Sequence, residues 1–243
     1  MLTLLLFDVD GTLTQPRDRI DDTMVNLLNK LKSQYTLAVV GGSNFEQLEK
    51  QLPLYLFDYV FAENGLDALI NNTRISNSCV EVIGKDRINE LNKLVTETLL
   101  SWGFVYQQFI DIRRGLLNIS PIGFHKTVNE RNAFYLQDQV YHYRKRLITI
   151  LKTQFPDLDF VIGGVVSFDV FPKGWDKTYC LKFLSEFKDR IHFFGDKMYC
   201  DEDGSYGNDF LLSINDNIHP HPVKSWQETF EVLSNVFDNK DMV

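Results

Sequence analysis

The run Leu4-Leu5-Leu6-Phe7 passes directly into Asp8-Val9-Asp10-Gly11-Thr12-Leu13-Thr14, and no other stretch limits the fold so much. An apolar run of strand length without polar alternation is the pattern of a strand buried on both faces, as in a parallel sheet covered by helices. Two carboxylates and a Gly-Thr turn follow at its carboxyl end, the edge at which open α/β sheets bind ligands. Side chains at i and i+2 of a strand share a face, so Asp8 and Asp10 are expected to start out together, with Gly11 allowing a sharp turn beneath them. Such carboxylates repel unless something binds them. A hard cation such as magnesium takes carboxylate oxygens and leaves positions for phosphate oxygens, after which one carboxylate can attack phosphorus while the other moves a proton. A bare Asp-x-Asp is equally compatible with a solvated turn.

Downstream, the pattern alternates between helical and strand periods. Ile20, Met24, Leu27, Leu28 and Leu31 repeat at helical spacing after Asp18 and Asp21, and Tyr35 to Val40 reads as a strand ending at Gly41-Gly42-Ser43. Ser43 either caps the helix expected over Asn44 to Leu52 or donates its hydroxyl to a phosphate at the strand end. Tyr59-Val60-Phe61 is a further strand, followed by the turn Glu63-Asn64-Gly65. Asn71 to Ser78 is polar, and the pattern changes after it, which predicts a domain boundary. The expected division is 1–80 with 177–243 for one domain and 81–176 for another inserted into it.

Within the inserted segment, Ile88, Leu91, Val95 and Leu99 predict a helix and Leu116 to Ser120 a strand. Arg113, Arg114, Lys126, Arg131, Arg144, Lys145 and Arg146 form a local basic excess in a chain whose net charge is -8. Each arginine alone is more simply a solvated surface charge. Gly163 to Pro172 alternates so that Ser167 and Asp169 share one face, which either meets solvent or lines a sugar pocket. Gly174-Trp175-Asp176-Lys177 restarts a helical pattern, with Asp176 as N-cap; a lysine in the first turn opposes the helix dipole and signals an anionic partner. The strand Ile191 to Phe194 then ends in Gly195-Asp196, and Gly207-Asn208-Asp209 follows. Trp226, Phe230, Leu233 and Phe237 predict a last packing helix.

With 243 residues the chain can bury one large core or two smaller ones. Its acidity argues against nucleic-acid or anionic-membrane binding, so any phosphate must be met by local basic groups. Cys79, Cys180 and Cys200 are scattered without metal-ligand spacing, which favours a reduced intracellular setting. The apolar start is broken by Asp8 and Asp10 and reads as a strand, not a signal peptide; no run reaches membrane-spanning length. The sequons at Asn71 and Asn118 are then chance matches.

The string DVDGTLT after an apolar strand resembles the first motif of the haloacid dehalogenase superfamily. That resemblance implies Asp8 as nucleophile and Asp10 as acid/base. Ser43 resembles the second motif, Lys177 the phosphate-neutralising lysine, and Gly195-Asp196 with Gly207-Asn208-Asp209 the acidic motif that completes a magnesium site. The implied ligands are Asp8, Asp10, Asp196 and Asn208, with Asp209 a further candidate. LFDVDGTLT, VVGGSNFEQ, ENGL, LNISPIG, SFDVFPKGWDK and FFGDK, in this order over nearly the full length, are similar to the eukaryotic phosphomannomutases. The resemblance implies an α/β fold, a Rossmann-like core with a parallel sheet plus an inserted α+β cap domain. It implies interconversion of mannose 6-phosphate and mannose 1-phosphate for GDP-mannose supply, with action on glucose analogues, a hexose 1,6-bisphosphate activator, and a cytoplasmic homodimer paired through the caps. Substrate contacts carried over are Arg17, Arg113, Arg131, Ser167 and Asp169.

Four departures stand out. Phe124 replaces an arginine after Ser-Pro-Ile-Gly, Arg114 replaces the asparagine of Arg-Asn-Gly, Asn44 replaces the aspartate of Ser-Asp-Phe, and the loop from Asp196 to Asn208 is longer, with Tyr206 in place of a glycine. A lost arginine leaves open a sugar-phosphate phosphatase on the same scaffold, or a non-catalytic paralogue.

Overall fold

The computed structural model describes residues 3–105, 108–202, 204 and 206–238. Two compact units emerge, Met1–Ser76 with Lys177–Val243, and Asn77–Asp176. The first junction lies slightly before the expected 80/81 division. Ser78 caps a short helix whose first residue, Cys79, donates its N–H to Arg114 O at 2.7 Å, so this turn belongs with the second unit.

In chain order the first unit opens with β1 (Leu4–Phe7), α1 (Asp22–Leu31), β2 (Thr36–Val40), α2 (Phe45–Gln51), β3 (Tyr59–Ala62), β4 (Asp67–Ile70) and β5 (Thr73–Ser76). The second unit contains α3 (Cys79–Ile83), α4 (Lys85–Ser101), β6 (Ile110–Ile112), β7 (Leu117–Ile119), α5 (Val128–Tyr141), α6 (Tyr143–Gln154), β8 (Leu158–Val161) and β9 (Phe168–Pro172). The first unit resumes with the 3-10 helix Lys177–Phe183, then β10 (Ile191–Gly195), α7 (Phe210–Ser213), β11 (Ile218–Pro222) and α8 (Trp226–Val232), which runs on as a π-helical turn to Phe237.

The first unit is built on a seven-stranded sheet in the order β11-β10-β1-β2-β3-β4-β5. The strands from β11 to β3 are parallel, and the β4–β5 hairpin adds antiparallel pairs at one edge. β1 is apolar throughout because both of its faces are covered. Leu5 and Phe7 pack with α1 and the C-terminal helix, where Met24, Leu28 and Phe237 lie, while Leu4 and Leu6 pack with Cys180, Leu184 and Phe193. Each such side chain contributes roughly 1.5–3 kcal/mol by leaving water. Register places Phe7 opposite both Val39 and Phe194, so the carboxyl ends of β1, β2 and β10 come out at one edge. That alignment gathers the loops carrying Asp8, Ser43 and Asp196.

In the second unit, an antiparallel sheet β6-β7-β9-β8 packs one face on helices. Leu117, Ile119, Phe168 and Val170 meet Leu91 and Val95 of α4 and Leu147 and Leu151 of α6. Thr127 and Glu130 form a capping box at the start of α5, and hydrogen bonds from Thr127 push the Glu130 carboxyl down to about 2. The molecule is thus a mixed α/β protein with a largely parallel central sheet, together with a smaller α+β unit.

Candidate active site

Asp8 follows β1 immediately, and its N–H donates to Phe194 O at 2.9 Å, so the sheet ladder extends to this residue. Gly11 has φ +92°, and a Cβ there would lie 2.5 Å from Asp196 Oδ2. Glycine is required both by the left-handed backbone and by the approach of that carboxylate. A Cβ on Gly195 would similarly meet Asp209 Oδ2 at 2.8 Å.

These close approaches bring Asp8, Asp196 and Asp209 together, with one carboxylate oxygen from each lying within 4.8 Å of the others. The buried Lys177 donates from Nζ to Asp8 Oδ1 at 2.5 Å and to Asp209 Oδ1 at 2.6 Å. Thr12 Oγ1 donates to Asp8 Oδ2 at 3.2 Å, and the Lys197 N–H to Asp209 Oδ2 at 2.9 Å. Lys197 Nζ lies 3.3 Å from Asp196 Oδ2. Burial alone would neutralise Lys177, but the Asp209 and Asp8 carboxylates outweigh it and hold the ammonium charged. Burial, reinforced by the charge on Asp8, pushes the Asp196 carboxyl up to about 6; burial also raises that of Asp209.

Three carboxylates and two amino groups thus converge at this one point. Asn208, next to Asp209, holds its Oδ1 buried without a hydrogen-bond partner among the described residues. Converging carboxylates are the donor chemistry of a hard divalent cation, and the set fits magnesium, with the amide oxygen of Asp209's sequence neighbour Asn208 as a further donor of the same hard type. The grouping differs from the expected one. Asp209 stands in the cluster, whereas the Asp10 carboxylate does not.

The reason lies in the turn. β1 stops at Phe7, so the strand rule that pairs i with i+2 lapses before Asp10, which instead bridges to Thr14. Asp10 Oδ1 accepts from the Arg17 N–H and from Gln51 Nε2, each at 2.7 Å. Gln51 is a participant that the sequence reading overlooks. It continues the Phe45 and Leu48 face of α2 into the interior, and a buried amide at an apolar position was the available signal. Arg17 is exposed with φ +64°, uncommon for a non-glycine residue, and its main chain serves Asp10.

Ser43 is not the helix cap, because Asn44 accepts from Gln47 N at 3.0 Å in that role. Its hydroxyl is thereby left at the carboxyl end of β2, while its main-chain oxygen accepts from Glu63 N–H at 2.9 Å. Lys177 begins a 3-10 helix instead of an α-helix, and its side chain turns inward to two carboxylates. Those partners, not a helix dipole, account for it.

The remaining predicted contacts belong to the second unit. Arg113 Nε donates to Asp111 Oδ2 at 3.0 Å, Arg131 sits in the early part of α5, and Ser167 and Asp169 are joined by Asn118 Nδ2 at 3.2 and 2.7 Å. Much of the basic excess has fold duties. Arg144 is buried against Asp138 at 2.7 Å, Arg146 covers the Trp102 ring, and Lys126 pairs with Glu130. Of the long loop after Asp196, positions 203 and 205 lie outside the described residues, while Tyr206 packs on Phe210.

Comparison with known proteins agrees with this geometry. The family described as eukaryotic phosphomannomutase matches residues 24–239. A phosphomannomutase of Oryza sativa subsp. indica is 39% identical over 98% of this chain and 96% of its own length. One from Saccharomyces cerevisiae is 39% identical over 97% and 94%. Among solved structures, a sugar phosphatase of HAD subclass IIB is 14% identical with a TM-score of 0.52, covering 86% of this chain and 83% of that one, a likeness of fold alone.

Proposed function

Because this chain belongs to the eukaryotic phosphomannomutase family, we propose that it interconverts mannose 6-phosphate and mannose 1-phosphate through an aspartyl phosphate on Asp8. The observation that carries this reading is Asp8 at the sheet edge, held by Lys177 beside Asp196 and Asp209. A carboxylate held by an ammonium and a hydroxyl has its rotamer fixed before substrate arrives, which is the preorganisation phosphoryl transfer rewards.

In the forward cycle, phosphorylated Asp8 passes its phosphoryl group to the free hydroxyl of a hexose monophosphate. The product, a hexose 1,6-bisphosphate, reorients and returns its other phosphoryl group to Asp8. Asp10 takes the proton of the accepting hydroxyl in the first transfer and gives one to the leaving oxygen in the second. Lys177 and the Ser43 hydroxyl meet the charge on the transferring oxygens. Magnesium, held by Asp8, Asp196 and Asp209 with Asn208 beside them, supplies further charge neutralisation there when bound. We assign Arg17, Arg113 and Arg131 to the phosphate that is not reacting, and Ser167 and Asp169 to ring hydroxyls.

A hexose 1,6-bisphosphate serves as activator, since it charges Asp8 at the start, and glucose phosphates are accepted as analogues. We further assign a homodimer: α5 exposes Val128, Leu136, Val140 and Tyr141, an apolar stripe suited to a second copy. The cytoplasm and GDP-mannose supply complete the reading; no described helix is long and apolar enough to cross a membrane.

The test is a paired assay with magnesium, mannose 1-phosphate and catalytic glucose 1,6-bisphosphate, following mannose 6-phosphate and free phosphate together. Isomerisation well above phosphate release is expected. Phosphate release without isomerisation would make the protein a sugar phosphatase, and neither product would make it a binding protein.

A further inference from the structure

On the face of the second unit's sheet that looks away from its core, Asp111, Asn118 and Asp169 stand in one cross-strand row. Their neighbours Leu117, Ile119, Phe168 and Val170 point to the opposite side, into the core. An asparagine in an inner strand is a poor β-former, and Asn118 is only 7% exposed. Burying an amide is costly unless its hydrogen bonds are made. Its Nδ2 makes two, to Asp169 Oδ1 at 2.7 Å and Ser167 Oγ at 3.2 Å. At the other end of the row, Asp111 Oδ2 accepts from Arg113 Nε at 3.0 Å. Arg144 secures the segment before β9 from behind, donating to Gly164 O at 2.7 Å and Ser167 O at 3.2 Å. A sheet needing only stability would place valine or threonine at 118.

We propose that Asn118 and Asp111 are the positioning residues of sugar-phosphate recognition in this unit. Asn118 sets the rotamers of Ser167 and Asp169 so that both meet ring hydroxyls. Asp111, by taking Nε of Arg113, orients the guanidinium so that its two terminal amino groups form a fork for a phosphate. The inference rests on the proposed function and deepens it.

The test uses the full chain, with Asn118→Val, Asp111→Ala and Asp111→Asn. Steady-state KM and kcat, calorimetric binding of mannose 1-phosphate and thermal midpoint are measured for each. Asn118→Val favours the strand and is expected to keep its midpoint, while KM and Kd rise roughly tenfold with kcat changed much less, the size of one lost charge-assisted hydrogen bond. Asp111→Ala is expected to raise KM and Kd in the same way, and Asp111→Asn, whose carbonyl can still accept from Arg113 Nε, to restore them. Unchanged KM and Kd in Asn118→Val and Asp111→Ala, with the wild type active, would overturn this inference alone. If Asn118→Val fails to fold, the alanine and asparagine pair at the half-exposed position 111 decides. A wild type that neither binds nor turns over mannose 1-phosphate would remove the proposed function and this inference with it.

Discussion

Lys177 donates to Asp8 at 2.5 Å in a buried site, although 169 positions separate the two in sequence. The chain thus returns from its second unit directly onto the residue that follows its first strand. Removing this ammonium leaves Asp8 and Asp209 facing each other without a common counter-charge. Lys177→Met is therefore expected to destabilise the fold by about 3–5 kcal/mol, the cost of breaking a buried ion pair from one side. Denaturant unfolding with and without magnesium checks it. Part of the loss should be recovered with the metal, and an unchanged midpoint would contradict the electrostatic account.

Gln51 offers a cleaner separation of activity from stability. Its amide donates to the oxygen of Asp10 that also takes the Arg17 N–H, yet its own Oε1 is buried without a partner among the described residues. Gln51→Leu removes one donor to a carboxylate together with an unsatisfied oxygen. We expect kcat to fall roughly 10- to 100-fold, as for a lost charged hydrogen bond, with the thermal midpoint maintained. A matching loss of midpoint and rate would reduce Gln51 to a packing residue.

Metal affinity ranks the Asp196 carboxylate against the Asn208 amide as ligands. Asp196 lies in the three-carboxylate cluster and is partly accessible, whereas Asn208, next to Asp209 in sequence, offers a neutral amide oxygen. Asp196→Asn should weaken magnesium binding by at least the roughly 10- to 100-fold seen for outer-shell partners, and Asn208→Ala by less. Calorimetry with magnesium alone gives both constants. The reverse order would restore Asn208 as a principal ligand.

A histidine stack on β10 and β11 predicts acid sensitivity. His221 packs on Phe194 at 4.5 Å, shares a ring-nitrogen contact of 2.9 Å with His192, and lies in the same stack as His219. Burial, then the charge of His219, holds the His221 imidazole below its ordinary value. At His221 the folded chain therefore binds less proton than the unfolded chain once pH drops below about 6.5, and the stability this group contributes falls with pH in that range. Between about pH 7 and 5, the thermal midpoint should decline more steeply in the wild type than in His221→Gln. Parallel pH profiles would exclude His221 as the source.

Some of this was legible in the residues. The continuous apolar β1, with Asp8 at its end, reads correctly because burial on both faces removes alternation, and the helical period of α4 reads from Ile88 to Leu99. Asp10 misleads because a one-dimensional strand rule does not announce where the strand stops. Asn208 and Asp209 are neighbours, and only the backbone path from Gly207 decides which carboxylate or amide turns toward Asp8. The basic excess in the second unit mixes Arg113 and Arg131 with Arg144 and Arg146, and nothing in the spacing tells a guanidinium buried on Asp138 or stacked on Trp102 from one held out for a ligand. Lys177 was recognisable by position, but its partners come from both ends of the first unit and appear only in three dimensions.

The most direct test of the central claim is to charge the enzyme with phosphate-labelled glucose 1,6-bisphosphate in magnesium, quench in acid and map the label by peptide mass spectrometry. One acid-stable, hydroxylamine-sensitive phosphate is expected on Asp8, transferable to added mannose 1-phosphate and absent in Asp8→Asn. Label on another residue, or turnover that persists in Asp8→Asn, would contradict it.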